Sequence, residues 1–241
     1  MNHSIFIRSY DRDAAWLKVC FAQLTKYAAG WDKTIVVTDP EAVEIPALCE
    51  AWGIPCMPSP YLTDLPGYLQ QQLDKLHADT FLPDADTITF VDSDAWPYAS
   101  FTPESARIIP SIEILYSPWD EMGDAKDAWM EITGRALLRE PPYEFMRRLP
   151  LSYRPETLLA ARTWMETHHG ASVAEVIESL GSISEFNFLG AWAWFNRHDD
   201  YTWTYVDSKN PPTSSLPVRQ FWSHGSLAEA METIADMELA Q

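Results

Sequence analysis

Thr87-Ile88-Thr89-Phe90-Val91-Asp92-Ser93-Asp94 is an apolar run that ends abruptly in two carboxylates one residue apart. Ile88, Phe90 and Val91 are β-branched or aromatic and the segment holds neither Gly nor Pro, so it reads as a buried strand. Side chains alternate along a strand, which sends Asp92 and Asp94 from the same face where the strand opens into a loop. Two such close anions repel each other, and a divalent cation between them relieves the repulsion. Oxygen donors suit a hard ion such as Mg2+ or Mn2+, which takes further ligands, diphosphate oxygens among them. The plainer alternative is that both aspartates cap a turn.

Upstream, Pro66 to Asp79 has helical spacing with Leu69, Leu73 and Leu76 as the core stripe. Gln71 and Lys75 lie four apart and Gln72 three before Lys75, so a polar set with one cation shares the opposing side. Lys75 either serves a phosphate site or pairs with a neighbouring acid. Nearer the N-terminus, Ile5-Phe6-Ile7 reads as a strand, Arg8-Ser9-Tyr10-Asp11 as a polar loop, and Trp16, Val19, Cys20, Leu24 and Tyr27 as a helix ended by Gly30. Asp11 and Asp13 sit where the start of that helix favours negative charge. Thr34 to Thr38 is a second strand, Pro46 to Trp52 a short helix, and Ile54 to Met57 a third strand. Strand, helix, strand, helix, strand at this spacing predicts a parallel α/β sheet, whose ligands bind beyond the carboxyl ends of its strands.

Downstream, Thr102-Pro103-Glu104 predicts a short helix and Ile112 to Tyr116 a strand. Asp120 to Arg148 reads as helical with a break at Pro141-Pro142; its Arg135, Arg139, Arg147 and Arg148 either pair with Glu140 and Glu144 on a solvated face or make a local basic track for nucleic acid. Helices follow from Pro155 to His169 and from the capping box Ser172 and Glu175 to Gly181. Glu185 heads the otherwise apolar Ser184-Glu185-Phe186-Asn187-Phe188-Leu189-Gly190, as an N-terminal helix charge or as a working residue. Tyr201 to Val206 alternates as a strand, and Trp222-Ser223-His224-Gly225 precedes a last helix opened by Ser226 and Glu229. His224 is a surface residue or a metal ligand through a neutral ring nitrogen. No linker or repeat divides the chain, which reads as one domain over 1–241, a nucleotide-binding half of about 1–118 and a more helical half of about 119–241.

Composition narrows the classes. In 241 residues, 46% hydrophobic and 22% charged content is ordinary for a globular protein. No run approaches the roughly 18 apolar residues that span a bilayer, and the N-terminus enters a strand pattern directly, so a cytoplasmic location is expected. A net charge of −18 argues against extensive non-specific nucleic-acid binding. Cys20, Cys49 and Cys56 have neither disulfide-framework nor zinc spacing. Most of the eleven Trp are expected in the core or an interface.

Taken in order, Ile5 to Asp11, Pro66 to Leu76, Phe90-Val91-Asp92-Ser93-Asp94, Ser184 to Gly190 and Trp222 to Gly225 make the chain resemble glycosyltransferases of the GT-A fold, and within them a group of bacterial and phage glycosyltransferase-like proteins. The resemblance implies a Rossmann-like, mainly parallel central sheet flanked by helices, with a nucleotide-diphosphate sugar as co-substrate and Mn2+ or Mg2+ as cofactor. It implies that Asp92 and Asp94 hold the metal and that His224 completes the coordination. Arg8, Ser9, Tyr10 and Asp11 would contact base and ribose, and Gln71, Lys75 and Ser93 the phosphates or donor sugar. UDP-sugars are the favoured donors, being the commonest among relatives. An inverting enzyme would use Glu185 to take the acceptor's proton; in a retaining one Glu185 or Asn187 would face the sugar as a stabiliser. A glycan, a protein side chain and a modified nucleobase are all open as acceptors. The alternatives are a nucleotidyltransferase, for which Arg8 to Arg12 lacks the usual Gly-rich phosphate loop, and a catalytically inactive nucleotide-sugar or carbohydrate-binding protein.

Overall fold

The structure, a computed structural model, describes residues 1–61, 65–123, 126–146, 149–207 and 216–240. Strand β1 (His3–Arg8) leads into helix α1 (Ala14–Tyr27), then β2 (Lys33–Thr38), α2 (Glu44–Trp52), β3 (Cys56–Pro58), α3 (Gly67–Leu76), α4 (Ala78–Phe81) and β4 (Thr87–Phe90). After β5 (Ala95–Pro97) and β6 (Glu113–Tyr116) come α5 (Lys126–Leu137), β7 (Leu151–Tyr153), α6 (Pro155–His169), α7 (Val173–Leu180), α8 (Glu185–Asn196), β8 (Thr202–Tyr205), β9 (Val218–Gln220) and α9 (Leu227–Leu239).

The central sheet has the order β3-β2-β1-β4-β7, parallel except for β7, which runs antiparallel to β4. Ile5, Phe6, Ile7, Ile88 and Phe90 are buried in it, because helices cover both faces and the strands read as unbroken apolar runs. The fold is thus the mixed α/β architecture with a mainly parallel sheet that the pattern predicts. The chain leaves β1 toward β2 on one side and returns to β4 on the other. That reversal opens a crevice at the carboxyl ends of β1 and β4. Two small sheets sit apart: β5 with β9, antiparallel, and β6 with β8, parallel.

Several local expectations change. Thr102 and Ser105 exchange side-chain to backbone bonds, but Arg107 at φ 59° stops the turn, so no helix forms there. Between Asp120 and Arg148, α5 is the one α-helix among the described residues, with a 3-10 turn at Trp119–Glu121 before it; Arg139 stacks on Phe195, 3.4 Å from the ring centre, and Arg147 and Arg148 lie outside the described residues. The helix predicted from Pro66 to Asp79 divides at His77 into α3 and α4. The capping box at Ser172 and Glu175 forms as expected. Nine of the eleven Trp are wholly or partly buried; Trp52 and Trp222 are exposed. Among the described residues, no helix is long and apolar enough to cross a membrane.

Candidate active site

The loop after β1 is built around a buried cation. Arg8 Nε donates to Asp74 Oδ2 at 2.6 Å, while its other nitrogens meet Asp39 and the Ser9 carbonyl. Asp74, on α3, also accepts from Ser59 Oγ at 2.5 Å and Gln70 Nε2 at 3.1 Å. Burial pulls the Arg8 guanidinium toward neutrality, but Asp74, Tyr10 and Asp39 together outweigh it and the pKa rises. The Tyr10 ring lies between two guanidiniums, 4.5 Å from Arg8 and 4.9 Å from Arg12, and its hydroxyl donates to the Gly67 carbonyl. Asp11 accepts the Val43, Glu44 and Ile45 backbone N–H groups at 2.8, 3.1 and 3.0 Å. It therefore caps α2 from across the loop, while also standing in the 3-10 turn Asp11–Asp13 that leads into α1, as charge position suggested. Its small burial penalty is outweighed by those donors, and its pKa falls. Arg8 and Asp11 are thus committed to protein partners, whereas Ser9 Oγ is buried with none.

The second centre joins α3, β4 and α8. Lys75 Nζ lies 2.8 Å from Asp92 Oδ1 and 3.2 Å from Glu185 Oε1. The ammonium is 3% exposed and Glu185 1%. Burial alone lowers the lysine pKa; Asp92 and Glu185 reverse that, and the net shift is upward, so Lys75 stays charged. Burial raises Glu185, with Lys75 pulling the other way. With its amide nitrogen turned toward the carboxylate, Gln72 donates to Glu185 Oε1 at 2.7 Å and also meets Oε2, and its oxygen accepts from Tyr68 hydroxyl at 3.2 Å. The expected neighbouring acids of Lys75 prove to be Asp92 and Glu185 themselves.

Asp94 stands two residues on, past a turn closed by Ala95 N–H on the Asp92 carbonyl at 2.9 Å. Strand β9 delivers the 221–225 segment against it: Phe221 N–H donates to the Asp94 carbonyl at 2.7 Å, and Ser223 N–H to Asp94 Oδ2 at 2.9 Å. Asp94 Oδ1 is buried without a hydrogen-bond partner. Burial first, and then Asp92, push its carboxyl up to about 7. A buried carboxylate oxygen with no donor, beside a second carboxylate, is the chemistry a hard divalent cation satisfies, so Asp92 and Asp94 fit one. His224 follows Ser223 directly, and its ring is exposed. Among the described residues no three His, Cys, Asp or Glu side chains gather as a metal cluster.

Ser93 is buried and its carbonyl accepts the Trp96 indole N–H at 3.0 Å. On α3 it is Gln72 that reaches Glu185; Gln71 is half-buried beside it. Asn187 Oδ1 accepts Phe145 N–H at 2.7 Å and Met146 N–H at 3.3 Å, and its nitrogen donates to Ser184 Oγ at 3.0 Å. That amide anchors the 144–146 segment to α8. Glu185 binds Lys75 and Gln72. Tyr68, Asp74 and Asp39 are the residues here that sequence reasoning did not single out, while Gln72 was named in the polar set around Lys75. The Tyr68, Gln72, Lys75 spacing was the available signal for Tyr68.

No protein-family model matches the sequence, and no curated protein matches it. Among solved structures, the chain is similar to the galactosyltransferase LgtC in complex with donor and acceptor sugar analogues: 11% identity, TM-score 0.60, covering 97% of this chain and 95% of that one. An active-site mutant of LgtC gives 12% identity and TM-score 0.57 over the same shares. Glucosyl-3-phosphoglycerate synthase from Mycobacterium tuberculosis, in complex with Mn2+, UDP and glucosyl-3-phosphoglycerate, gives 11% identity and TM-score 0.48, covering 99% of this chain and 77% of that one. At such identity the likeness is one of fold, and the fold this chain shares is that of LgtC.

Proposed function

We propose that the chain is a metal-dependent glycosyltransferase that moves a sugar from a nucleoside-diphosphate donor, a UDP-sugar foremost, to an acceptor. One observation carries this: a buried Lys75 ammonium held between Asp92 and Glu185 at the carboxyl end of β4, beside an Asp94 oxygen with no partner. The shared fold of LgtC, solved with sugar analogues of donor and acceptor, supports it. Residues of about 1–118 supply the nucleotide side in this proposal, and those of about 119–241 the acceptor side.

Glycosyl transfer develops cationic character on the sugar while negative charge gathers on the departing diphosphate. Lys75 is the cation fixed in position for that charge, and its two carboxylate partners keep it protonated and immobile. Mn2+ or Mg2+, when bound, supplies Lewis-acid stabilisation of the same leaving group; Asp92 and Asp94 would hold it, and His224, on the segment pinned to Asp94, is the third ligand proposed. Glu185, nearly inaccessible and paired to Lys75, acts as a stabiliser of that cation. Tyr10 and Ser9, at the end of β1, face the nucleoside side of the crevice in this proposal.

The test is thermal stability of the wild type and Asp94→Ala with UDP, GDP and their sugars, with and without Mn2+. Stabilisation that needs both nucleotide and metal, and vanishes in Asp94→Ala, is expected. Indifference of the wild type to every nucleoside diphosphate refutes the proposal and favours a protein without donor binding.

A further inference from the structure

Helix α3 divides its polar residues between two faces. Gln70 and Asp74 turn toward Arg8 and Ser59, while Tyr68, Gln72 and Lys75, at i, i+4 and i+7, form one stripe toward Glu185 and Asp92. Within that stripe exposure changes sharply: Lys75 and Gln72 are buried, but Tyr68 is 48% exposed. The Tyr68 hydroxyl reaches the buried centre of Lys75, Glu185 and Asp92 through Gln72, which bonds Glu185. Its ring therefore stands at the mouth of that centre, between the Tyr10 loop and the metal-side carboxylates.

An exposed aromatic at this place is also held still. The hydroxyl bonds the Gln72 oxygen at 3.2 Å, Gln72 bonds Glu185, and Glu185 pairs with Lys75, so the ring orientation is linked to the buried ammonium. The preceding helix start is fixed as well, because Tyr10 hydroxyl donates to the Gly67 carbonyl. A half-exposed ring tethered through its hydroxyl suits the apolar face of a pyranose, whose ring hydroxyls still reach water. A nucleobase is served elsewhere, by the loop after β1, and a diphosphate has no use for an aromatic face.

We propose that Tyr68 is the platform on which the sugar of the nucleotide-sugar donor stacks, a residue that recognises the transferred group and not the nucleotide. This assignment rests on the glycosyltransferase reading above. It is tested by calorimetric titration of the wild type, Tyr68→Phe and Tyr68→Ala with UDP and with UDP-glucose, each in Mn2+. All three proteins bind UDP equally. For UDP-glucose, Tyr68→Ala loses roughly five- to tenfold in affinity, the range expected of one aromatic contact, and Tyr68→Phe stays within about twofold. Equal loss for UDP and UDP-glucose marks a structural role and overturns the assignment. So does unchanged UDP-glucose affinity in Tyr68→Ala. Failure of all three to bind UDP overturns the donor reading instead.

Discussion

Replacing Lys75 by Met isolates the electrostatic centre. Lys75 and Glu185 are both nearly inaccessible, at 3% and 1% exposure, while Asp92 keeps 16% and can recover some hydration. Removing one partner of such a buried pair leaves an uncompensated charge and costs about 3–5 kcal/mol. For a domain of this size that lowers the melting temperature by roughly 6–20 °C. The loss falls mainly on Glu185, so Glu185→Gln in the Lys75→Met background recovers more than half of it, because the amide keeps a neutral contact with Gln72. The pH dependence has a definite sign. Burial already raises Glu185 above its ordinary 4.5, and without Lys75 it rises further. An acid with a raised folded pKa contributes stability below its unfolded pKa and loses it as pH climbs through the folded one. The Lys75→Met deficit therefore shrinks between pH 7.5 and pH 5. Urea unfolding at the two pH values, in EDTA, measures both effects. A Lys75→Met protein within about 1 kcal/mol of wild type at pH 7.5, or a deficit that ignores Glu185→Gln, refutes the reasoning.

His77 is half-buried, with Nδ1 2.9 Å from the Leu73 carbonyl and its ring 4.2 Å from that of Tyr61. Burial, and then Arg162, lower its pKa from 6.5 to about 4, so the folded chain loses stability as pH falls from 6.5 through about 4. His77→Phe keeps the ring contact and removes that titration, flattening the acid limb of a stability profile by on the order of 2 kcal/mol after solvent screening. Gly190, inside α8, has no room for a methyl group: a Cβ there would lie 2.4 Å from Phe145 Cβ. Gly190→Ala should cost about 3 kcal/mol or prevent folding, and soluble yield with a melting curve decides it; wild-type behaviour would contradict the packing described.

What the sequence made legible was local. Apolar runs gave β1, β2 and β4, and 3.6-residue periodicity gave α1, α3 and α6, because each pattern lies within one element. Strand β7 escaped because Leu151-Ser152-Tyr153 is only three residues long; its place depends on β4, where Ser152 and Thr89 hydroxyls meet at 2.8 Å. Asp11 was read as a charge for the nearest helix, whereas its donors lie more than thirty residues away. Gln71 and Gln72 flank the same helical direction relative to Lys75, about 40° to one side and about 60° to the other, so periodicity does not choose between them. Packing of α3 against α8 does. Gly190 and Asn187, both within the stretch that carried the resemblance, turn out to admit and anchor the 144–146 segment. A shared stretch of sequence therefore marks packing as readily as chemistry.

The arrangement on α3 explains why so acidic a chain keeps Arg8 and Lys75 almost out of water. Asp74 and Lys75 are consecutive, so they leave the helix about 100° apart and cannot serve one partner. Asp74 takes Arg8 at the end of β1, and Lys75 takes Asp92 at the end of β4. Those strands are neighbours in the sheet, and the crevice lies between their carboxyl ends. One helical turn thus grips both lips of the crevice with charges of opposite sign. Tyr10 hydroxyl on the Gly67 carbonyl fixes the same helix at its start. Neither ion pair needs to add net stability for this to be useful, since desolvation offsets much of the attraction in each. Their value is registry: they set the loop after β1 and the carboxylates after β4 at one separation before any ligand arrives.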